Sequence, residues 1–478
     1  MNYKMILNTL GIVLNFEGLC LLLPLVCSLI YGESNTMIYF YCILACIVPG
    51  VLLTLIKPEK KTMYQREGFI IVALSWIVMS LFGAIPFVAT GSIKSFVDAF
   101  FETASGFTTT GASILSDVEV LAKSIIMWRS FTHFLGGMGV IVFIVAILKL
   151  SGGSNIYLIK AESPGPSVSK LVPKVGSTAK ILYGMYIILT FTEVLFLLAG
   201  GMTLFEALTL SFGTAGTGGF GILNSSIADY NSYNQIVITV FMIMFGIDFS
   251  VYYLILLRKF KLKELSEEVR AYLGIILVSA VLISVNCMHL YTSLFDNLKH
   301  TFFQIASIIT TTGYATVDFD KWPELSKTIL VILMFVGACA GSTGGGIKVS
   351  RILILFKSYI KQIKITAHPR HTYKLKINNR PLEHETLRSV NVYMAAYISV
   401  FALGLVLISL DNYDFTTNFT AVSATLNNIG PGLNLVGPTC NFSFFSDFSK
   451  IVFSLLMIIG RLELFPILIL ASVNTWKD

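Results

Sequence analysis

The chain is short of charge. Only 13% of its 478 residues are Asp, Glu, Lys or Arg, about half the share of an ordinary soluble domain. With 55% hydrophobic residues and 36 Phe, that scarcity excludes a cytosolic enzyme, a disordered chain and a secreted disulfide scaffold. The seven cysteines (Cys20, Cys27, Cys42, Cys46, Cys287, Cys339, Cys440) lie mostly inside apolar stretches and show no CxxC spacing. They read as small buried hydrophobes rather than disulfides or metal ligands. HExxH, GxSxG, paired-acid and dinucleotide fingerprints are missing as well, so nothing points to an enzyme or to a nucleotide site in this chain. The +7 net charge does not call for nucleic acid either, because its distribution matters more than its sum.

What fills the sequence instead is a series of apolar runs. Residues 5–31, 37–56, 68–90, 124–148, 180–201, 234–257, 270–291, 326–340 continuing to 356, 389–410 and 450–473 each approach the roughly 20 residues that a membrane-spanning helix needs. The first has no small-residue cleavage site before Gly32, which reads as a retained span rather than a signal peptide. Four shorter segments, 96–110, 203–217, 299–312 and 416–429, are too short to span and suit re-entrant half-helices. Stretches 57–67, 149–180, 258–270 and 348–388, with Lys4 and Lys477, hold 26 of the 34 Lys and Arg. The positive-inside rule then puts both termini and the 348–388 stretch in the cytoplasm. That basic stretch suits a solvated loop or a docking surface for a cytoplasmic partner. Asp98, Glu102, Asp117, Glu119, Asp229, Asp296, Asp318, Asp320, Glu324, Asp411, Asp414 and Asp447 fall on the other side, where an acidic mouth would concentrate cations.

The short segments repeat. Each ends at a glycine: Gly111, Gly219, Gly313 and Gly430. The first and third agree closely, Phe100-Phe101-Glu102-Thr103-Ala104-Ser105 against Phe302-Phe303-Gln304-Ile305-Ala306-Ser307, and both reach the glycine through three threonines. A span, a half-helix and a second span return the chain to its starting side, so four tandem units share one orientation and can surround an axis along the membrane normal. The expected fold is an all-α polytopic membrane protein, with two N-terminal spans plus four helix–pore-loop–helix repeats around a pseudo-fourfold pore. Its units are 1–60 (two extra spans), 61–150, 175–262 and 265–360 (repeats 1 to 3, the last with a broken second helix), 361–386 (cytoplasmic linker) and 387–478 (repeat 4).

Extended Thr/Gly backbone at membrane depth is tolerable only where it lines a wet cavity. There its carbonyls can replace the hydration shell of a cation, and the negative ends of the half-helix dipoles add to the attraction. Thr109, Thr110 and Gly111, Thr217, Gly218 and Gly219, Thr311, Thr312 and Gly313, and Asn428, Ile429 and Gly430 are the candidate ion-binding residues. No Asp or Glu stands in the three residues before any of the four glycines, which favours a large alkali ion over a divalent one. Further on, Gly341, Ser342, Thr343, Gly344, Gly345 and Gly346 interrupt a span. The stretch fails as a phosphate loop, since Lys348 does not directly follow the last glycine, no Ser or Thr follows the Lys, and no strand precedes it. It reads as a movable constriction, or alternatively as a flexible kink. Arg461 sits in mid-span, where a charge marks a functional site by default; either it meets the glycine stretch as an electrostatic barrier or it closes an ion pair with Asp248 or Glu463. His133 reads as a packing residue rather than a ligand.

Phe107 to Ser113, Trp128-Arg129-Ser130 to His133 with Gly136-Gly137-Met138-Gly139, Gly341 to Gly346 and Asn427 to Gly432 resemble the Trk/Ktr/HKT superfamily of potassium transporters, and the TrkH branch within it. The resemblance covers essentially the whole chain. It implies potassium uptake, with K+ as the transported ion, through a homodimer whose protomers each have a pore. It further implies a gating role for Gly341 to Gly346 with Lys348 and Arg461, and a TrkA-like ring of nucleotide-binding regulatory subunits. The setting implied is the bacterial cytoplasmic (inner) membrane. A sodium- or proton-coupled symporter, or a weakly selective monovalent cation channel, is the alternative within this class.

Overall fold

The structure is a computed structural model describing residues 1–58, 64–139, 175–256, 266–370 and 373–476. The end of the predicted 124–148 span, the basic stretches 149–174 and 257–265, and Lys477 lie outside the described residues. Within them the architecture is helical. Helices α1 (Tyr3–Cys20) and α2 (Leu22–Ile30) run as one span and pair with α3 (Thr36–Thr54). A Cβ on Gly50 would strike Asn15, and one on Gly11 would come within 2.6 Å of the Gly50 carbonyl. Small residues thus let two membrane helices approach closely, where packing rather than hydrophobicity must hold them.

The stretch expected as repeat 1 holds α4 (Gln65–Gly83) continued by α5 (Ile85–Ala89), the half-helix α6 (Phe96–Phe107) and α7 (Lys123–Gly137). That expected as repeat 2 holds α8 (Val175–Ala199), half-helix α9 (Leu204–Gly216), α10 (Ser232–Phe245) and α11 (Phe249–Leu256). That expected as repeat 3 has α12 (Glu267–Asn286), half-helix α13 (Leu294–Ile309), α14 (Glu324–Val336) and α15 (Val349–Ala367). That expected as repeat 4 has α16 (His384–Ile408), half-helix α17 (Phe415–Leu426), α18 (Asp447–Arg461), α19 (Phe465–Ala471) and α20 (Val473–Trp476). The half-helices hold the most enclosed part of the chain. Every residue of α6 from Ala99 is buried, and so is every residue of α17 from Thr417 except Phe419, whereas α3 and α16 leave most of their apolar side chains at least partly exposed. Six described helices are long and apolar enough to cross a membrane, and the protein is a multi-pass membrane protein.

Two features depart from the expectations. The linker is not wholly irregular: α15 runs on to Ala367, and β1 (Lys376–Ile377) pairs antiparallel with β2 (Arg380–Pro381). Their turn residues Asn378 and Asn379 take φ of 50° and 61°, the left-handed pair that tight hairpins require. Second, a break was expected only in the second span of repeat 3, yet those of repeats 2 and 4 break too. α10 and α11 meet at 94°, and α18 stops at Arg461, followed by Glu463 and Leu464 at φ 55° and 72°.

Candidate functional site

Each half-helix begins with a side-chain cap. Ser95, Thr203, Ser293 and Asp414 accept hydrogen bonds from the amides of Asp98, Glu206, Phe295 and Thr417, satisfying donors that the helix itself leaves open. The Thr417 hydroxyl, with its amide, holds the Asp414 carboxyl below the usual carboxylate range. At the other end all four helices close the same way. The amides of Thr110, Gly218, Thr312 and Ile429 donate to the carbonyls five residues earlier, at 2.8–2.9 Å, and those of Thr109, Thr217, Thr311 and Asn428 to the carbonyls three residues earlier, at 3.0–3.3 Å. This pair of bonds is a helix-ending motif whose pivot normally falls to glycine. Here the pivots are Thr109, Thr217, Thr311 and Asn428, at φ 56–60°. A β-branched residue in this region costs on the order of 1–2 kcal/mol, so surrounding structure must impose the conformation. Two residues on, Gly111, Gly219, Gly313 and Gly430 take φ of 76–96°.

The four turns are neighbours in chain order, and the circle closes. A Cβ on Gly111 would run into the Gly218 carbonyl, one on Gly219 into that of Thr312, and one on Gly313 into that of Ile429; on Gly430 it would lie 2.9 Å from the Thr110 carbonyl. All twelve candidate ion-binding residues therefore sit in one ring of abutting backbone. Threonine hydroxyls brace it: Thr108 with Thr110 and Thr310 with Thr312, both at 2.8 Å. The Asn428 amide donates to Thr110 Oγ1 and to the Met457 carbonyl, each at 2.9 Å, binding turn 4 to turn 1. Carbonyl-lined turns at the ends of inward-running helices can replace the water around a monovalent cation.

Directly beneath lies the glycine stretch. The Gly345 amide donates to Thr311 Oγ1 at 2.6 Å, a Cβ on Gly344 would lie 2.9 Å from the Thr310 carbonyl, and one on Gly345 would strike that of Asn427. The loop thus touches the undersides of turns 3 and 4. Its ends are fastened as well: Cys339 N donates to the Gly246 carbonyl and Phe249 N to that of Gly341, both at 3.1 Å, while Glu268 accepts from Ala340 N at 2.6 Å and Ser350 N at 3.1 Å. Lys348 Nζ bonds the Gly344 carbonyl. Arg461 donates to the Thr343 carbonyl at 2.8 Å and to those of Gly136 and Gly137 at 2.5 Å, joining the loop to α7. Glu463 and Asp248, the partners considered for an Arg461 ion pair, have close contacts of their own. Glu463 closes on Arg351 at 2.5 Å, and Asp248 accepts from the Ser250 amide at 2.9 Å and hydroxyl at 2.5 Å.

One carboxylate does not stand where the acidic-mouth reading put it. Glu102 and Arg129 are 1% and 3% exposed and form a 2.6 Å ion pair inside the protein. Composition cannot reveal this; the clue available was the position of Glu102 in the middle of a half-helix. His133 is a packing residue, as expected: it stacks on Phe220 with ring centroids 4.1 Å apart.

A multi-pass helical protein in which four half-helices end in one ring of backbone carbonyls belongs to the class of membrane ion transporters. The family model described as TrkH, cation transport protein, matches residues 34–478, and the chain belongs to the TrkH family. It is 35% identical, over the whole of both chains, to the Trk system potassium uptake protein TrkH of Salmonella typhimurium, and 33% identical, again over full length, to that of Vibrio parahaemolyticus. The crystal structure of the potassium transporter TrkH from Vibrio parahaemolyticus superimposes with a TM-score of 0.90 at 31% identity, covering both chains completely.

Proposed function

We propose that the protein carries potassium into the cell through the ring formed by Thr109 to Gly111, Thr217 to Gly219, Thr311 to Gly313 and Asn428 to Gly430, which acts as a selectivity filter. The observation that carries this reading is the fourfold recurrence of one backbone geometry, with each turn abutting the next and the last abutting the first. No packing requirement demands four equivalent left-handed turns in a circle, whereas a hydrated cation stripped of its water needs equivalent oxygens around it. Residues Gly341 to Gly346 form the gate, held by Lys348 and Arg461, because they contact the underside of two turns and carry two cations at the carbonyls nearest the ring. The potassium uptake named for the relatives supports the choice of ion. The protein would work in the cytoplasmic membrane with both termini inside, as a homodimer, under a cytoplasmic nucleotide-binding regulatory ring.

The test is flux through purified protein in liposomes. Wild-type current should reverse at the potassium potential irrespective of sodium and pH, which separates a channel-like path from coupled symport. Gly111→Ser and Gly313→Ser should each lower potassium-over-sodium discrimination by about tenfold, a change of about 1.4 kcal/mol in relative ion stabilisation. Wild-type discrimination in both variants would remove those carbonyls from the ion path.

A further inference from the structure

Arg129 belongs to a motif that the ion path does not use, and its geometry gives it a different task. Glu102 lies nine residues before Gly111 in α6; the corresponding positions before the other three glycines hold Leu210, Gln304 and Ala421. Apolar or neutral residues thus suffice there to fold a half-helix. The charged pair calls for its own explanation, since burying two ions costs several kcal/mol apiece, and well-packed apolar replacements are often as stable or more so.

Its contacts supply one. The Glu102 carboxylate accepts from the Ser113 hydroxyl at 3.0 and 3.1 Å and from Ile114 N at 3.0 Å, so it holds the chain as it leaves turn 1. Arg129 Nε donates to that carboxylate at 2.6 Å, and its Nη1 donates to the Gly221 carbonyl at 3.0 Å, two residues past Gly219 in the exit of turn 2. The guanidinium also lies 3.7 Å from the centroid of the Phe220 ring. The exits of turns 1 and 2 are therefore joined through one rigid fork. Neutral contacts join the neighbouring exits: Phe442 N donates to the Ser113 carbonyl at 2.8 Å, Ile227 N to the Ala315 carbonyl at 3.0 Å, and Ala315 N to Ser226 Oγ at 3.2 Å.

We propose that Glu102 and Arg129 are positioning residues of the filter, fixing the spacing between its first two turns and thereby its discrimination between potassium and sodium. The proposal rests on the filter reading above. A ring of carbonyls selects by holding a set spacing against collapse around a smaller ion, and an arginine fork bonded at both ends resists such collapse better than a single-point contact.

The test pairs Glu102→Gln with the double variant Glu102→Leu/Arg129→Met, which gives repeat 1 the apolar filling found in repeats 2 and 4. Both are purified, checked for intact size and thermal stability, and compared in liposomes with Gly111→Ser. The expected result is a potassium-over-sodium permeability ratio at least about fivefold lower in both pair variants, with the maximal potassium flux changed less than twofold. A folded double variant with the wild-type ratio overturns the proposal, and so does failure of both variants to fold, which would make the pair purely structural. If Gly111→Ser also keeps the wild-type ratio, the filter assignment itself has failed; a shift with Gly111→Ser alone removes only the pair's role.

Discussion

In the ring, each of the four turns places a left-handed residue two positions before a glycine and closes the same two backbone hydrogen bonds. One step lower, the second helices follow no common pattern. α7 ends at Gly137, α10 turns by 94° into α11, α14 gives way to the glycine stretch, and α18 stops at Arg461. The charges divide in the same way. The ring turns contain none, while Lys348, Arg351, Arg461 and Glu463 crowd the layer beneath. A spherical ion imposes equivalence on whatever surrounds it, so the turns cannot drift apart in conformation. The proposed gate has no such demand: one movable element is enough, and the glycine stretch after α14 is the one proposed. Symmetry above and asymmetry below are therefore consistent with one layer that coordinates and another that controls passage.

The largest effect should come from breaking the symmetric layer. Gly219→Ala adds a Cβ at φ 76° that runs into the Thr312 carbonyl, displacing two adjacent turns at once. With a cost of about 3 kcal/mol for strain and lost coordination, potassium uptake should fall about a hundredfold, measured as rubidium uptake into liposomes. Uptake within threefold of wild type would mean that turns 2 and 3 do not bound the ion path.

Breaking the lower layer should do the opposite. Arg461→Gln removes the donors to the Thr343, Gly136 and Gly137 carbonyls, releasing the loop from α7 and withdrawing a positive charge from beneath the ring. Potassium flux should rise by about tenfold, the equivalent of about 1.4 kcal/mol off the barrier, while the potassium-to-sodium ratio stays constant. A changed ratio at constant flux would move Arg461 from the controlling layer into the coordinating one.

The two layers were not equally legible in the sequence. Thr-Thr-Thr-Gly in repeats 1 and 3 and the matching glycines of repeats 2 and 4 gave away the ring, because a position that must adopt positive φ leaves glycine behind as a trace. The pivots Thr109, Thr217, Thr311 and Asn428 left no such trace: threonine and asparagine occur in many settings, and their strain is imposed by the assembled turn. Two of the three breaks in the described second helices were also hidden. A glycine run announces the break after α14, but Gly246-Ile247-Asp248 and Leu462-Glu463-Leu464 look like ordinary pieces of an apolar span. Their breaks are stabilised by distant groups, such as the Cys339 amide on the Gly246 carbonyl. Glu102 was misassigned to the mouth for the same reason: a charge shows in the sequence, but its burial depends on the partner across the fold.

The smallest effect sharpens the boundary between coordinating residues and those that only fill space behind them. His133 packs against Gly218, where a glycine Cβ would strike its ring, and it stacks on Phe220. Both ring nitrogens are buried and lack a hydrogen-bond partner among the described residues. A buried polar atom without a partner costs about 1–3 kcal/mol, so His133→Phe keeps the flat ring and the stack while removing two such atoms. Stability should stay the same or rise by about 1 kcal/mol, read as thermal unfolding in detergent, and the potassium-to-sodium ratio should not move. A shifted ratio in a protein of unchanged stability would show that the imidazole acts on turn 2 through its charge or its hydrogen-bonding atoms, and the coordinating layer would then extend one shell behind the ring.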